Sequence, residues 1–172
     1  QLRLPDALSG MEAWMRRQED AAQEVVNQIL NVESSIDWLF VLLVLAVSAG
    51  ITEEFLFRGV MQRLFLEKFK RVHLAVWITA FIFSAIHLQF FGFFPRLLLG
   101  ALCGYLLVWS GNIWIPVLVH TLNNAIYVAT EYVIKQGWTT TEAMEMELSW
   151  GNLVFALAGL AEIGVVGRQF KD

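Results

Sequence analysis

Six residues of this 172-residue chain have types and spacings suited to chemistry rather than packing: Glu53, Glu54, Arg58, His87, His120 and Asn124. The first three lie in Glu53-Glu54-Phe55-Leu56-Phe57-Arg58, within a run dominated by Val, Leu, Ile, Phe and Ala. On a helix, Glu54 and Arg58 are four apart with the acid first, the favourable direction for an ion pair, so each neutralises the other in a low dielectric. Glu53 lies ~100° around the same helix and has no basic residue at i+3 or i+4. A carboxylate left over in this way is a candidate general base. The competing reading has both carboxylates sharing Arg58 to fix helix packing. Ionisable groups in an apolar span are functional by default, which weighs toward chemistry.

His87 closes the run Phe81-Ile82-Phe83-Ser84-Ala85-Ile86-His87, where a lone histidine is more often interfacial or hydrogen-bonded in a core. Depth changes that. Counted from the basic turn, Glu53 is fifteen residues before Lys68 and His87 fourteen after His73, or ~21–23 Å of helix rise on antiparallel neighbours. The two can face each other. His120 and Asn124, four apart, share a helix face. Their spacing alone favours interhelical hydrogen bonding, which His and Asn commonly supply in membranes. With polar groups converging from three helices, their N–H groups also fit an oxyanion hole.

These side chains need apolar helices to hold them. Leu8 to Val32 has the pattern of an amphipathic helix, with Met11, Trp14, Met15, Val25 and Ile29 interleaved with charges, lying on a membrane surface or packing on a bundle. Residues 36–68 are helix-compatible throughout and long enough to span with a tilt or a bend, for which Gly50 and the polar cluster after it are the expected place. Val72 to Gln89, Pro95 to Ser110, Ile113 to Ile134 and Ser149 to Val166 follow, each near spanning length and joined by Gly- and Pro-marked turns. Pro116 falls in a first helical turn, where it costs least. The expected fold is therefore all-α: a polytopic transmembrane helix bundle preceded by an amphipathic helix, with residues 1–35 as a leading segment and 36–168 as the core. Glu162, isolated in the last span, receives no role.

Composition agrees. The chain is 57% hydrophobic and 16% charged, with mean hydropathy +0.56, against roughly 45–50% apolar and about 25% charged for a soluble domain. Twelve basic and sixteen acidic residues give a net charge of −4, with no basic surplus to bind nucleic acid. Cys103 is the single cysteine, which excludes an intrachain disulfide framework and suggests a small buried residue. The first residues lack the apolar region of a signal peptide. The chain starts with Gln, as a processed chain or a fragment downstream of further spans would. If the spans alternate, Lys68, Lys70, Arg71, Arg168 and Lys171 share one side, which should be cytoplasmic.

Glu53-Glu54 with Arg58, Phe83 with His87, and His120 with Asn124 resemble, in order, the EExxxR, FxxxH and HxxxN signatures of a known family. It is the CAAX protease and bacteriocin-processing (CPBP, or Abi) family of intramembrane glutamic proteases. The resemblance covers about residues 36–134 and implies hydrolysis of a peptide bond at the membrane. It gives Glu53 and His87 the activation of a water, His120 and Asn124 the oxyanion, and Glu54 and Arg58 the holding of the helix and tuning of Glu53. It implies membrane lipid and a peptide or protein substrate, lipidated in the eukaryotic relatives, as partners. The expected location is integral to the membrane, a bacterial plasma membrane, and no metal or cofactor is expected.

Two other readings compete. Glu53, His87 and His120 could ligate zinc with a water in the fourth position, although no HExxH pair is present. A non-catalytic scaffold, immunity-type protein or proton-coupled carrier could use the same polar cluster for helix association or proton relay.

Overall fold

The computed structural model describes residues 5, 8–32, 34–90 and 92–140. The expected span over Ser149 to Val166, with Glu162, Arg168 and Lys171, lies outside them. Five helices occupy the described residues: α1 (Ser9–Leu30), α2 (Ser35–Phe69), α3 (Val72–Ala85), α4 (Phe93–Ser110) and α5 (Trp114–Lys135). No strand occurs among them. The fold is an all-α membrane helix bundle. The chain divides into two compact units, Gln1–Val128 and Ala129–Asp172, and every candidate site residue belongs to the first.

Local chemistry sets the helix ends. Ser34 accepts the Ile36 N–H at 3.1 Å to start α2. Lys70, at φ 55, turns left-handed to end it, and Arg71 is extended, so two residues reverse the chain into α3. Gly111, at φ 63, ends α4, where a Cβ would be strained. The Asn112 side chain then accepts the Trp114 N–H at 3.0 Å and caps α5, with Pro116 in its first turn.

Packing is inverted relative to a soluble domain. Ile36, Phe40, Phe81, Phe94 and Leu98 are each more than half exposed, while Glu54, Arg58, Gln62, Thr79, Ser84 and His120 are buried. Apolar outside and polar inside is what a lipid solvent selects. Among the described residues α2, with 35 residues, and α4, with 18, are long and apolar enough to cross a membrane. The α3 helix is shorter than expected, 14 residues, or ~21 Å against a hydrocarbon core of ~30 Å. It stops before His87, where the chain turns and Ser84 Oγ donates to the Phe93 carbonyl at 2.6 Å.

Around Gly50 and the polar cluster after it, the hydrogen bonding of α2 widens to the π form in two stretches, Leu43–Ser48 and Phe55–Gln62, on either side of the α-helical turn Ala49–Glu54. Such π stretches frequently mark functional positions. Gly50 serves close approach: a Cβ there would stand 3.1 Å from both Cα and N of Thr121 on α5. Gly100 does the same between α4 and α3, where a Cβ would meet Phe83 at 3.1 Å and Ala80 at 3.2 Å. Small residues at crossings let backbones approach in lipid, where no hydrophobic force drives helices together.

Candidate active site

Glu54 and Arg58 pair as their spacing predicts. Arg58 Nη1 donates to Glu54 Oε1 at 2.8 Å, with side chains 1% and 0% exposed. The pair is also more connected than its helix alone would make it. Arg58 Nη2 donates to the Gly100 carbonyl at 2.7 Å, and the guanidinium lies 4.9 Å from the centre of the Phe83 ring. One turn on, Gln62 Nε2 donates to the Gly104 carbonyl at 3.0 Å. Two polar side chains thereby tie α2 to the α4 backbone, and at Gly104 the tie depends on the missing side chain, since a Cβ there would stand 2.7 Å from Gln62 Oε1.

His120 comes to the same carboxylate. Its Nδ1 is 2.7 Å from Glu54 Oε1, and because a carboxylate only accepts, Nδ1 must carry the proton. Its Nε2 then faces Glu53 Oε2 at 3.7 Å, too long for a direct hydrogen bond and short enough for both to address one small group. The consecutive carboxylates differ in access: the Glu53 side chain is 30% exposed, that of Glu54 is sealed. Glu53 Oε2 is nonetheless a buried atom with no hydrogen-bond partner among the described residues.

His87 sits just past α3, in the turn. Its Nδ1 lies 2.7 Å from the Phe83 carbonyl, which accepts that N–H and leaves Nε2 bare in the neutral ring. Among the described residues the basic group within ion-pair distance of Glu53 is His120, and His87, held by its own backbone, is within electrostatic reach of Glu53 and His120. His87 stands not on the expected helix but in the turn that follows the early end of α3. Leu88 beside it has φ 54, a conformation a bulky residue adopts only when its surroundings impose it.

Asn124 is turned toward a backbone group: Nδ2 donates to the Leu45 carbonyl at 3.3 Å, in the first π stretch of α2. One of its two N–H groups is so occupied, and the other remains to donate. Glu53, Glu54, Arg58 and His120 thus form one contiguous group, with His87 beside it and Asn124 a turn along α5.

Three contributors were not singled out for these roles from sequence. Phe83 acts through its ring, which meets Phe57, His87 and His120 edge to face at centroid distances of 5.0, 5.1 and 5.6 Å while Arg58 lies over it. Gly50 presses α2 against Thr121, the residue after His120. The Gly100 carbonyl takes the second arm of Arg58. A lone glycine in an apolar helix is the available signal for the last two, and it reads equally as a bend or a close approach. Cys103 is fully buried. Among the described residues no group of three or more His, Cys, Asp or Glu side chains is disposed to hold a metal ion.

The family described as type II CAAX prenyl endopeptidase Rce1-like matches residues 35–126, more than half of the chain and a stretch that holds all six residues. A Bacillus subtilis (strain 168) protein described as uncharacterized protein YpbD is 28% identical over 87 residues, 48% of this chain and 41% of that relative. The matched segment therefore covers less than half of the relative's length. No solved structure matches the chain.

Proposed function

Because this chain belongs to the Rce1-like family of type II CAAX prenyl endopeptidases, we propose that it is an intramembrane peptidase hydrolysing a membrane-associated protein or peptide by a glutamate-activated water. The observation that carries this reading is the division of labour between neighbouring carboxylates. Glu54, sealed from solvent, accepts from both Arg58 and His120. Both carboxylates have a buried Oε2 without a hydrogen-bond partner among the described residues, but Glu53 alone is partly open and outside the pairing with Arg58.

The steps follow from these atoms. A water beside Glu53 Oε2 gives its proton to the carboxylate while its oxygen attacks the scissile carbonyl carbon. His87, with Nε2 bare, holds the same water and relays the proton to the leaving amine. His120 with Nδ1–H committed to Glu54 carries a second N–H, at Nε2, only as the imidazolium, a charge balanced by the carboxylates on its two sides. That N–H and the second amide N–H of Asn124 stabilise the oxyanion. Collapse breaks the C–N bond, and the amine departs with the relayed proton. The substrate is a membrane-associated chain, lipidated where an apolar anchor is needed to present it, and the setting is a bacterial plasma membrane, in line with the Bacillus relative.

Glu53→Gln tests this. The amide is nearly isosteric and the side chain partly exposed, so the variant should fold as the wild type does. Loss of the base should lower peptide cleavage by ~10²–10⁴-fold. Unchanged turnover in a folded Glu53→Gln protein would end the proposal.

A further inference from the structure

Arg96 is the only Lys or Arg between Val72 and Ile134, and the roles above leave it unused. It lies in the first turn of α4, just after the turn that carries His87. Its Nη2 donates to Gln89 Oε1, and its guanidinium lies across Gly92, where a Cβ would stand 3.2 Å from Nη2 and 3.6 Å from Nη1. Gly92 has φ −87, open to any residue, so what its missing side chain provides is room. Nη1 is a buried atom with no hydrogen-bond partner among the described residues. The charge acts on His87 and on Glu53. Glu19 of α1 also acts on it, and Trp14 of α1 packs on Phe90 in the same turn, with ring centres 5.2 Å apart.

A guanidinium is a planar fork that recognises an oxyanion through two parallel N–H groups. Here Gln89 holds one arm over the space at Gly92, and the other is buried without a partner on a guanidinium within electrostatic reach of the water-activating carboxylate. A buried donor on a cation is costly to leave unmade, and the group best suited to complete it is an anion brought by the substrate. We propose that Arg96 is a specificity-determining residue that binds a substrate carboxylate next to the scissile bond, either the C-terminal carboxylate of a short trailing segment or an Asp or Glu side chain. This inference rests on the peptidase reading, because it needs a substrate peptide at Glu53.

The experiment uses the full chain reconstituted in lipid and synthetic membrane-anchored peptides that the wild type cleaves, with Glu53→Gln assayed beside it. Each peptide is made with a free C-terminal acid, as the C-terminal carboxamide, and with acidic side chains replaced by Asn or Gln. The wild type should favour one acidic form over its amide by roughly 10- to 100-fold in kcat/KM, carried in KM. Which form loses cleavage identifies the carboxylate. Arg96→Gln should erase the preference, cutting acid and neutral forms at equal rates, and Arg96→Lys should keep part of it. Equal cleavage of acid and amide forms by the wild type overturns the proposal, and that comparison requires no variant to fold. So does a preference that survives in Arg96→Gln, or a uniform loss across all peptides, which would make Arg96 a tie between Gln89 and α4. Cleavage that also persists in Glu53→Gln would overturn the peptidase mechanism itself and this inference with it.

Discussion

Replacing Arg58 by Ala should cost more stability than almost any other single change in the described bundle. The side chain is 1% exposed and donates to two acceptors, Glu54 Oε1 at 2.8 Å and the Gly100 carbonyl at 2.7 Å, while covering the Phe83 ring. Arg58→Ala leaves a sealed carboxylate without its cation and a carbonyl without its donor. Breaking a buried ion pair from one side typically costs ~3–5 kcal/mol. For a chain of this size that is a fall in Tm of roughly 6–20 °C, measured by thermal unfolding in detergent. The compensating variant separates charge from packing: Arg58→Met with Glu54→Gln removes both charges and keeps volume, so it should recover much of the loss. The amide that replaces the Glu54 carboxylate still offers His120 a carbonyl oxygen, but the imidazolium loses its counterion, so activity should stay low. Arg58→Lys should fall between, since an ammonium cannot serve both acceptors in fork geometry. Wild-type Tm in Arg58→Ala would refute the reasoning, because it would mean that Glu54 finds another partner or takes up a proton at little cost.

Three further outcomes are expected. Gly50→Ala should lower stability by ~1–3 kcal/mol and depress cleavage, because its methyl meets Thr121 backbone atoms that no rotamer can move; unchanged denaturation and kcat would show that α2 and α5 separate freely. His120→Gln should fold but lose ~10²–10³-fold in kcat with little change in KM, because it removes the donor at Nε2, and a loss confined to KM would assign His120 to binding instead. Chelators should leave cleavage untouched under the glutamate mechanism; loss on chelation restored by zinc would select the zinc reading of Glu53, His87 and His120.

How much could be read in advance differs from residue to residue. The Glu54–Arg58 pair was legible because both partners sit on one helix, where a separation of four residues brings side chains together whatever surrounds them. The ends of α2, α4 and α5 were legible within a few residues for the same reason: capping and turn chemistry act over three or four residues. The length of α3 was not, since nothing in Ile86-His87-Leu88 breaks a helix locally and the turn is held by Ser84 reaching Phe93.

Sequence alone determined that the chain is a set of apolar helices carrying a few ionisable groups, and it named those groups, because hydropathy and i,i+4 spacing are local properties. Only the tertiary structure decided which group meets which. His120 reaches Glu54 across 66 positions of sequence, and Arg58 and Gln62 reach the Gly100 and Gly104 carbonyls across 42. Those partners depend on how closely two backbones approach, which here is set by glycines at the crossings. A glycine's space takes on meaning only when the opposing helix is in place.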